Sequence, residues 1–228
     1  MHSYLQPLRA IFEQHADTAQ AEPMARYMRN KFDFYGIKAP RRRELFKNFI
    51  STFGLPAVEQ LDIVLRDLWL QPQREYQHWG LDLLQKFQKQ VEPGFVRMLE
   101  HLIVTKSSWD TVDALAVHPV GTHFARFPQV RAEYLQRWHS ADNFWLRRTT
   151  LLFQLRYKTE TDNALLFTLL RENCESNEFF IQKAIGWALR EYSKTNAAAV
   201  NRFVKDTELA ALSKREALKW LKRKGAAG

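Results

Sequence analysis

The sequence repeats a weak pattern about every 35 residues, and this period limits the folds that the chain can adopt. The segment 144–157 aligns with the segment 179–192, which places Arg148 opposite Lys183. One further step of 35 residues back from Arg148 reaches Asp113. A period of this length with two helices per unit is typical of a helical solenoid, in which each helix pair buries its apolar face against its neighbours. Asp113, Arg148 and Lys183 are therefore expected on one side of the stack.

The composition favours an all-helical chain. Apolar residues recur in long helical stretches without the alternating runs of half-buried strands, and there are only 8 glycines and 8 prolines. No linker exceeds an ordinary loop, so we predict one all-α domain of tandem HEAT-like repeats, an α-solenoid, over residues 1–228. An irregular bundle is the alternative, because amphipathic helices share apolar spacing in any fold. Helices are expected at about 3–15, 20–30, 40–53, 56–69, 73–90, 94–105, 108–116, 128–139, 143–157, 162–173, 178–193, 197–205 and 213–224.

The charge of the chain predicts a polyanionic partner. Lys and Arg number 34 against 25 Asp and Glu, and the formal net charge is +9 at pH 7. The basic residues are spread in singles and short clusters, so we expect the charge on folded helix faces. Charge alone leaves DNA, RNA and acidic proteins open as partners.

Several functional classes lose support from what the sequence lacks. Cys174 is the only cysteine, which excludes an intrachain disulfide, a multi-cysteine zinc site and a four-cysteine iron–sulfur cluster. Neither HExxH nor GxGxxG, P-loop, GxSxG or kinase motifs occur, so we predict no metal site. The start of the chain has no apolar signal core, and no window approaches about 18 uninterrupted apolar residues. We therefore expect a cytoplasmic protein that does not span a membrane.

The segment SSWDTVDAL at 107–115 is the first candidate for chemistry. It is predicted to start a helix, so that Trp109 and Asp113, four residues apart, share a face. A carboxylate beside an indole suits hydrolysis of an N-glycosidic bond, because an anion stabilises the oxocarbenium-like sugar and can orient the attacking water. The alternative is structural: Trp109 packs in the core and Asp113 forms an ion pair with Arg148.

The segment IGWALREY at 185–192 is the second candidate. It presents Trp187 and Arg190 three residues apart, with Lys183 one turn earlier. An aromatic side chain flanked by two cations suits stacking on a nucleotide with phosphate contacts on either side. The alternatives are that Trp187 belongs to the core and that Arg190 is merely solvated.

The third candidate is the basic stretch at 24–47. A helix bearing Tyr27 is followed by a loop and by a helix that opens with three arginines, the last of them Arg43. Basic residues are unfavourable at a helix N-terminus unless an anion offsets them, and bound phosphates would do so. A solvated basic cluster is the alternative.

Taken together, these segments resemble the AlkD family of DNA alkylation-repair glycosylases. The likeness extends from about residue 5 to residue 224, and it depends on the order and spacing of four segments. They are YGIKAPRRREL (35–45), SSWDTVDAL (107–115), FWLRRTTLL (144–152) and FFIQKAIGWALREY (179–192).

The resemblance implies HEAT-like repeats that form a concave, basic cradle around duplex DNA. It implies hydrolysis that releases N3-alkyladenine and N7-alkylguanine, without metal or cofactor and without extrusion of the nucleotide. The family's catalytic positions correspond to Trp109, Asp113 and Trp187, with Arg148 and Tyr27 as supporting groups. We expect a monomer that binds alkylated duplex DNA, with DNA contacts from Tyr27, Arg43, Arg148, Lys183 and Arg190. A scaffold for an acidic protein and a non-catalytic nucleic-acid sensor are the competing interpretations.

Overall fold

The computed structural model describes residues 1–225, which are helical apart from loops and one isolated bridge between Asp33 and Gln73. This confirms the all-α prediction. The α-helices are α1 (Gln6–Gln14), α2 (Thr18–Tyr27), α3 (Ala39–Phe53), α4 (Leu61–Leu70), α5 (Arg74–Phe87), α6 (Val96–Val104), α7 (Trp109–Leu115), α8 (Gly121–Arg126), α9 (Pro128–His139), α10 (Phe144–Leu152), α11 (Asn163–Arg171), α12 (Phe179–Tyr192), α13 (Ala197–Asp206) and α14 (Ala211–Arg223).

Six of these, which we call the repeat helices, begin at nearly constant intervals. They are α3, α5, α7, α10, α12 and α14, and successive starts are 35 residues apart four times and 32 residues apart at the last step. Helix α3 packs on α5, α7 on α10, α10 on α12, and α12 on α14. Helices α1 and α2 precede α3, and the other helices lie between successive repeat helices, as α11 does between α10 and α12. The helical repeat architecture is thereby confirmed.

The chain divides into two compact units, Met1–Lys106 and Ser107–Gly228. In the first unit, Trp79 is fully buried at the centre of an aromatic cluster. Its ring centroid lies 4.9 Å from that of Phe46, 5.3 Å from Phe49 and 5.5 Å from Phe12. Such edge-on aromatic contacts add to the stabilisation from apolar burial. The prediction of a single domain over 1–228 stays a prediction.

The second unit contains one helical segment that the sequence prediction left out. A gap was expected between residues 116 and 128, yet α7 continues through a π-helical turn at Ala116–Val120 into α8. Pro119 in this turn lacks an N–H, and a wide turn tolerates its ring better than a regular α-helix does. Gly121 then comes so close to α10 that an added Cβ would lie 2.6 Å from the Phe153 carbonyl oxygen. Proline and glycine, which usually interrupt helices, here accompany a π-helical turn and a close contact.

Within residues 1–225, no helix is long and apolar enough to cross a membrane.

Candidate functional site

A buried ion pair joins two neighbouring repeat helices in the second unit. Arg148 on α10 donates from Nε to Asp113 Oδ1 at 2.7 Å and from Nη2 to Asp113 Oδ2 at 2.9 Å. Its remaining nitrogen, Nη1, donates to the carbonyl oxygen of Phe180 at the start of α12. Arg148 therefore connects three successive repeat helices, and both carboxylate oxygens of Asp113 are held in place.

The surroundings of this pair shift the pKa of the Asp113 carboxyl. The Arg148 side chain is 5% exposed and that of Asp113 is 16% exposed. Burial raises the pKa of the Asp113 carboxyl above its ordinary value, while the hydrogen bonds and charge of Arg148 act to lower it. The structural alternative, an ion pair between Asp113 and Arg148, is thus an observed contact. Each Asp113 oxygen keeps a second lone pair that can accept a hydrogen bond from another group.

Trp109 lies at the start of α7, on the same helix face as Asp113. It is the first residue of the helix, after Ser108 at the N-cap position, and Asp113 follows one turn later. Trp109 is half-buried, whereas Trp69, Trp79 and Trp138 are fully buried. An indole that retains exposed surface next to a fixed carboxylate differs from the core tryptophans of this chain.

Trp187 also keeps part of its surface exposed. It lies seven residues after Phe180 on α12, or about 10 Å along the helix axis from the residue that accepts the Arg148 hydrogen bond. Lys183 and Arg190 are on the same face of α12, one turn before and after it. Hydrogen bonds thus tie the helix of Asp113 to the helix of Trp187 through Arg148. Convergence of Trp187 with Trp109 on one substrate stays a prediction.

Lys183 and Arg190 meet at a residue that the sequence analysis missed. Lys183 Nζ lies 3.1 Å from Glu216 Oε1, and Arg190 Nη1 lies 2.7 Å from Glu216 Oε2. Burial of Glu216 would raise its pKa, but hydrogen bonds from Lys219 and Lys183 outweigh burial and lower the pKa to about 2. Glu216 follows Lys183 by 33 residues, one step of the repeat, and this spacing is the signal that could have pointed to it.

Tyr27 and the three arginines of the basic stretch at 24–47 differ in exposure and in their partners. Tyr27 ends α2 and is 72% exposed. Arg41 pairs with Glu44 at 2.8 Å, and the buried Arg42 lies 3.4 Å from Asp82. Arg43 is exposed and, among residues 1–225, has no ion pair. Of the three arginines that open α3, Arg43 is therefore the one whose charge is not offset by a carboxylate.

The loop before α3 is held by a buried carboxylate. Glu75 accepts hydrogen bonds from the backbone N–H groups of Tyr35, Gly36 and Ile37, at 3.1, 2.9 and 3.1 Å. Gly36 has a φ of +89°, and an added Cβ would lie 2.0 Å from the Asp17 carbonyl oxygen. Only glycine fits this position, so the loop enters α3 along a defined path.

Comparison with known proteins adds an independent observation. A family model described as DNA alkylation repair enzyme matches residues 8–221. The chain belongs to the DNA alkylation repair enzyme family. A solved structure described as "Predicted DNA alkylation repair enzyme from Enterococcus faecalis" is 33% identical, with a TM-score of 0.84 over 90% of this chain and 96% of that one. A comparison with curated proteins found no match.

Membership in this family gives the basic residues a partner. As a DNA alkylation repair enzyme the protein takes DNA as its substrate, which removes acidic proteins from the leading interpretations. In the described part of the chain, no three His, Cys, Asp or Glu side chains are grouped so that they could hold a metal ion. The candidate site in this DNA alkylation repair enzyme is the group around Asp113, because its carboxylate is fixed by two hydrogen bonds from Arg148.

Proposed function

We propose that this chain is an AlkD-type DNA glycosylase of base excision repair, which hydrolyses the N-glycosidic bond of N3- and N7-alkylated purines in duplex DNA. The observation that carries the proposal is the Asp113 carboxylate, which accepts hydrogen bonds from Nε and Nη2 of Arg148. It lies one helical turn after the half-buried Trp109. This arrangement occurs in a DNA alkylation repair enzyme, where cationic purines are chemically plausible substrates.

Cleavage of this N-glycosidic bond needs little catalytic assistance from the protein. Alkylation at N3 or N7 makes the base cationic and hence a good leaving group, so no strong general acid is required. The bond from C1′ of the sugar to the base nitrogen breaks, and the base leaves with the electron pair. Water adds to C1′ and loses a proton, which leaves an abasic site. Charge builds on the sugar during this step, and the carboxylate of Asp113 stabilises it.

The geometry suggests how Asp113 does this. Arg148 uses one lone pair on each carboxylate oxygen, and the second lone pair of either oxygen is able to accept a hydrogen bond from the attacking water. We assign Arg148 to holding Asp113 in place. Although its sequence position suggested a DNA contact, the guanidinium is buried and already donates to Asp113 and Phe180.

The other predicted residues take supporting roles in the proposal. The indole faces of Trp109 and Trp187 attract the cationic base or the electron-poor sugar. Tyr27, Arg43, Lys183 and Arg190 bind the DNA backbone. All of these side chains come from one chain, so we propose that a monomer is active, with no metal or cofactor taking part in the step.

Release of the damaged base is the direct test. We expect the protein to convert a duplex oligonucleotide carrying one N7-methylguanine or N3-methyladenine into an abasic duplex, faster than the spontaneous reaction. Alkali cleavage at the abasic site, resolved on a denaturing gel, measures the product. The same duplex without protein gives the background rate, and an undamaged duplex with protein gives the control for nonspecific cleavage. Rates equal to background on both lesions would favour a non-catalytic DNA-binding protein.

The rate of base release should depend on pH through Asp113. Only the ionised carboxylate stabilises the sugar cation, and its pKa is raised by burial, so the rate should fall on acidification at a higher pH than an ordinary Asp would require. Single-turnover rates between about pH 4 and 8 measure this, with circular dichroism at each pH to confirm that the protein remains folded. A rate that stays constant to about pH 4 would contradict the role of the ionised carboxylate.

A further inference from the structure

The carboxylate of Glu216 gathers three cations at the contact between α12 and α14. Lys183 Nζ and Lys219 Nζ lie 3.1 and 2.6 Å from Oε1, and Arg190 Nη1 lies 2.7 Å from Oε2. The Glu216 side chain is 5% exposed, whereas those of Lys183, Arg190 and Lys219 are 38%, 30% and 53% exposed. We call these four residues the Glu216 node. Its anion lies inside and its cations lie at the surface.

The backbone packing places Glu216 against α12. An added Cβ at Gly186 would lie 2.4 Å from the Cβ of Glu216 and 2.8 Å from the carbonyl oxygen of Ser213. The hydroxyl of Ser213 also donates to the Gln182 carbonyl oxygen at 2.9 Å. Only a residue without a side chain at position 186 permits this approach, so the position of the carboxylate is set by the contact of the two helices.

The charges of the node do not cancel. One carboxylate, whose pKa of about 2 keeps it ionised at neutral pH, faces three cations and leaves a net charge of about +2. A single cation would satisfy a structural ion pair, and each further cation adds repulsion between like charges. A second anion at the surface would relieve that repulsion. The exposed cations are therefore arranged to accept an anionic ligand.

We propose that Lys183, Arg190 and Lys219 bind the phosphates of a DNA strand, and that Glu216 is the positioning residue that holds the three cations together. This inference rests on the proposed function in taking the DNA backbone as its ligand. Trp187 lies between Lys183 and Arg190 on the same face of α12, so phosphates at the node would flank a nucleotide at the indole. Lys219 and Glu216 extend this DNA site from α12 to α14.

Removal of the Lys219 charge tests the phosphate contact. Binding of full-length protein to a fluorescent, undamaged duplex is measured by anisotropy across salt concentrations. For Lys219→Met we expect the slope of log K against log salt to become shallower by about 0.9, with affinity lower by about five- to tenfold at 0.1 M salt. Lys214→Met removes the same charge from α14, about 200° around the helix from Glu216, and should change the slope much less. Equal effects of the two variants would overturn the proposal.

Glu216→Gln tests positioning against simple charge. The variant gains one unit of net positive charge, so general electrostatics predicts tighter DNA binding. If Glu216 positions the cations, its loss lets them separate, and we expect binding to weaken by several-fold despite the added charge. Unchanged or tighter binding by a folded variant, verified by circular dichroism and melting, would overturn the positioning role. If the variant does not fold, the Lys219→Met and Lys214→Met pair decides alone.

These measurements are independent of base release. Wild-type protein that binds undamaged duplex with the expected Lys219 effect but releases no base would contradict the proposed function and leave the Glu216 node intact. If the wild-type protein releases base while Lys219→Met binds DNA like the wild type, the proposed function would stand and the Glu216 node would be contradicted. Wild-type protein that does not bind the duplex at all would overturn the node.

Discussion

Asp113→Asn is expected to slow base release by about 100- to 1000-fold, the usual loss when one group that stabilises transition-state charge is removed. The amide has the size of the carboxylate but no charge, so it no longer stabilises the sugar cation. Its oxygen still accepts one hydrogen bond from Arg148, so most of the local packing should persist. Single-turnover rates on the N7-methylguanine duplex, with protein in excess, measure the chemical step.

A matched control is available in the first unit. Asp82 pairs with the buried Arg42 between repeat helices α3 and α5, as Asp113 pairs with Arg148 between α7 and α10. Asp82→Asn should therefore change the rate of base release by no more than about twofold at a temperature where both variants are folded. If Asp113→Asn retained the wild-type rate, Asp113 would be structural and the carboxylate assignment would be wrong, even if the protein released bases.

Arg148→Met is expected to lower the free energy of unfolding by about 3–5 kcal/mol, because it leaves the buried carboxylate of Asp113 without its partner. The effect is larger than for a surface ion pair, where screening by water leaves about 0–1 kcal/mol. Urea denaturation followed by circular dichroism measures the change. In the double variant Asp113→Asn, Arg148→Met, the buried charge is gone, and we expect recovery of about half of the lost stability.

The neighbouring arginine provides the comparison for this experiment. Arg147 Nη1 donates to the backbone carbonyl oxygens of Ala141 and Asp142, at 2.6 and 3.3 Å, and pairs with no carboxylate among residues 1–225. Arg147→Met should cost about 0.5–1.5 kcal/mol, the usual net value of hydrogen bonding in a folded protein. Similar losses for the two arginine variants, or no recovery in the double variant, would contradict a positioning role for Arg148 that acts through Asp113.

The sequence by itself determined the helical repeat. The 35-residue period is a property of the chain itself, because the interval between two helix starts is a count of residues. The structure keeps this interval between the starts of α3, α5, α7, α10 and α12. The spacing of four between Trp109 and Asp113 likewise places both side chains on one face of α7, whatever packs against that face.

The tertiary structure decided burial and pairing. The period aligned Asp113, Arg148 and Lys183, but it could not show that Arg148 is buried with Asp113 while Lys183 turns to Glu216. Nor could it show that α7 continues through Pro119 into α8. Hydrophobic periodicity describes one helix at a time, and the partner of a charged side chain depends on which neighbouring helix comes within about 3 Å. That distance depends on the volumes of the side chains between the two helices, and on glycines such as Gly186 that let the helices approach closely. Both are properties of the packed structure.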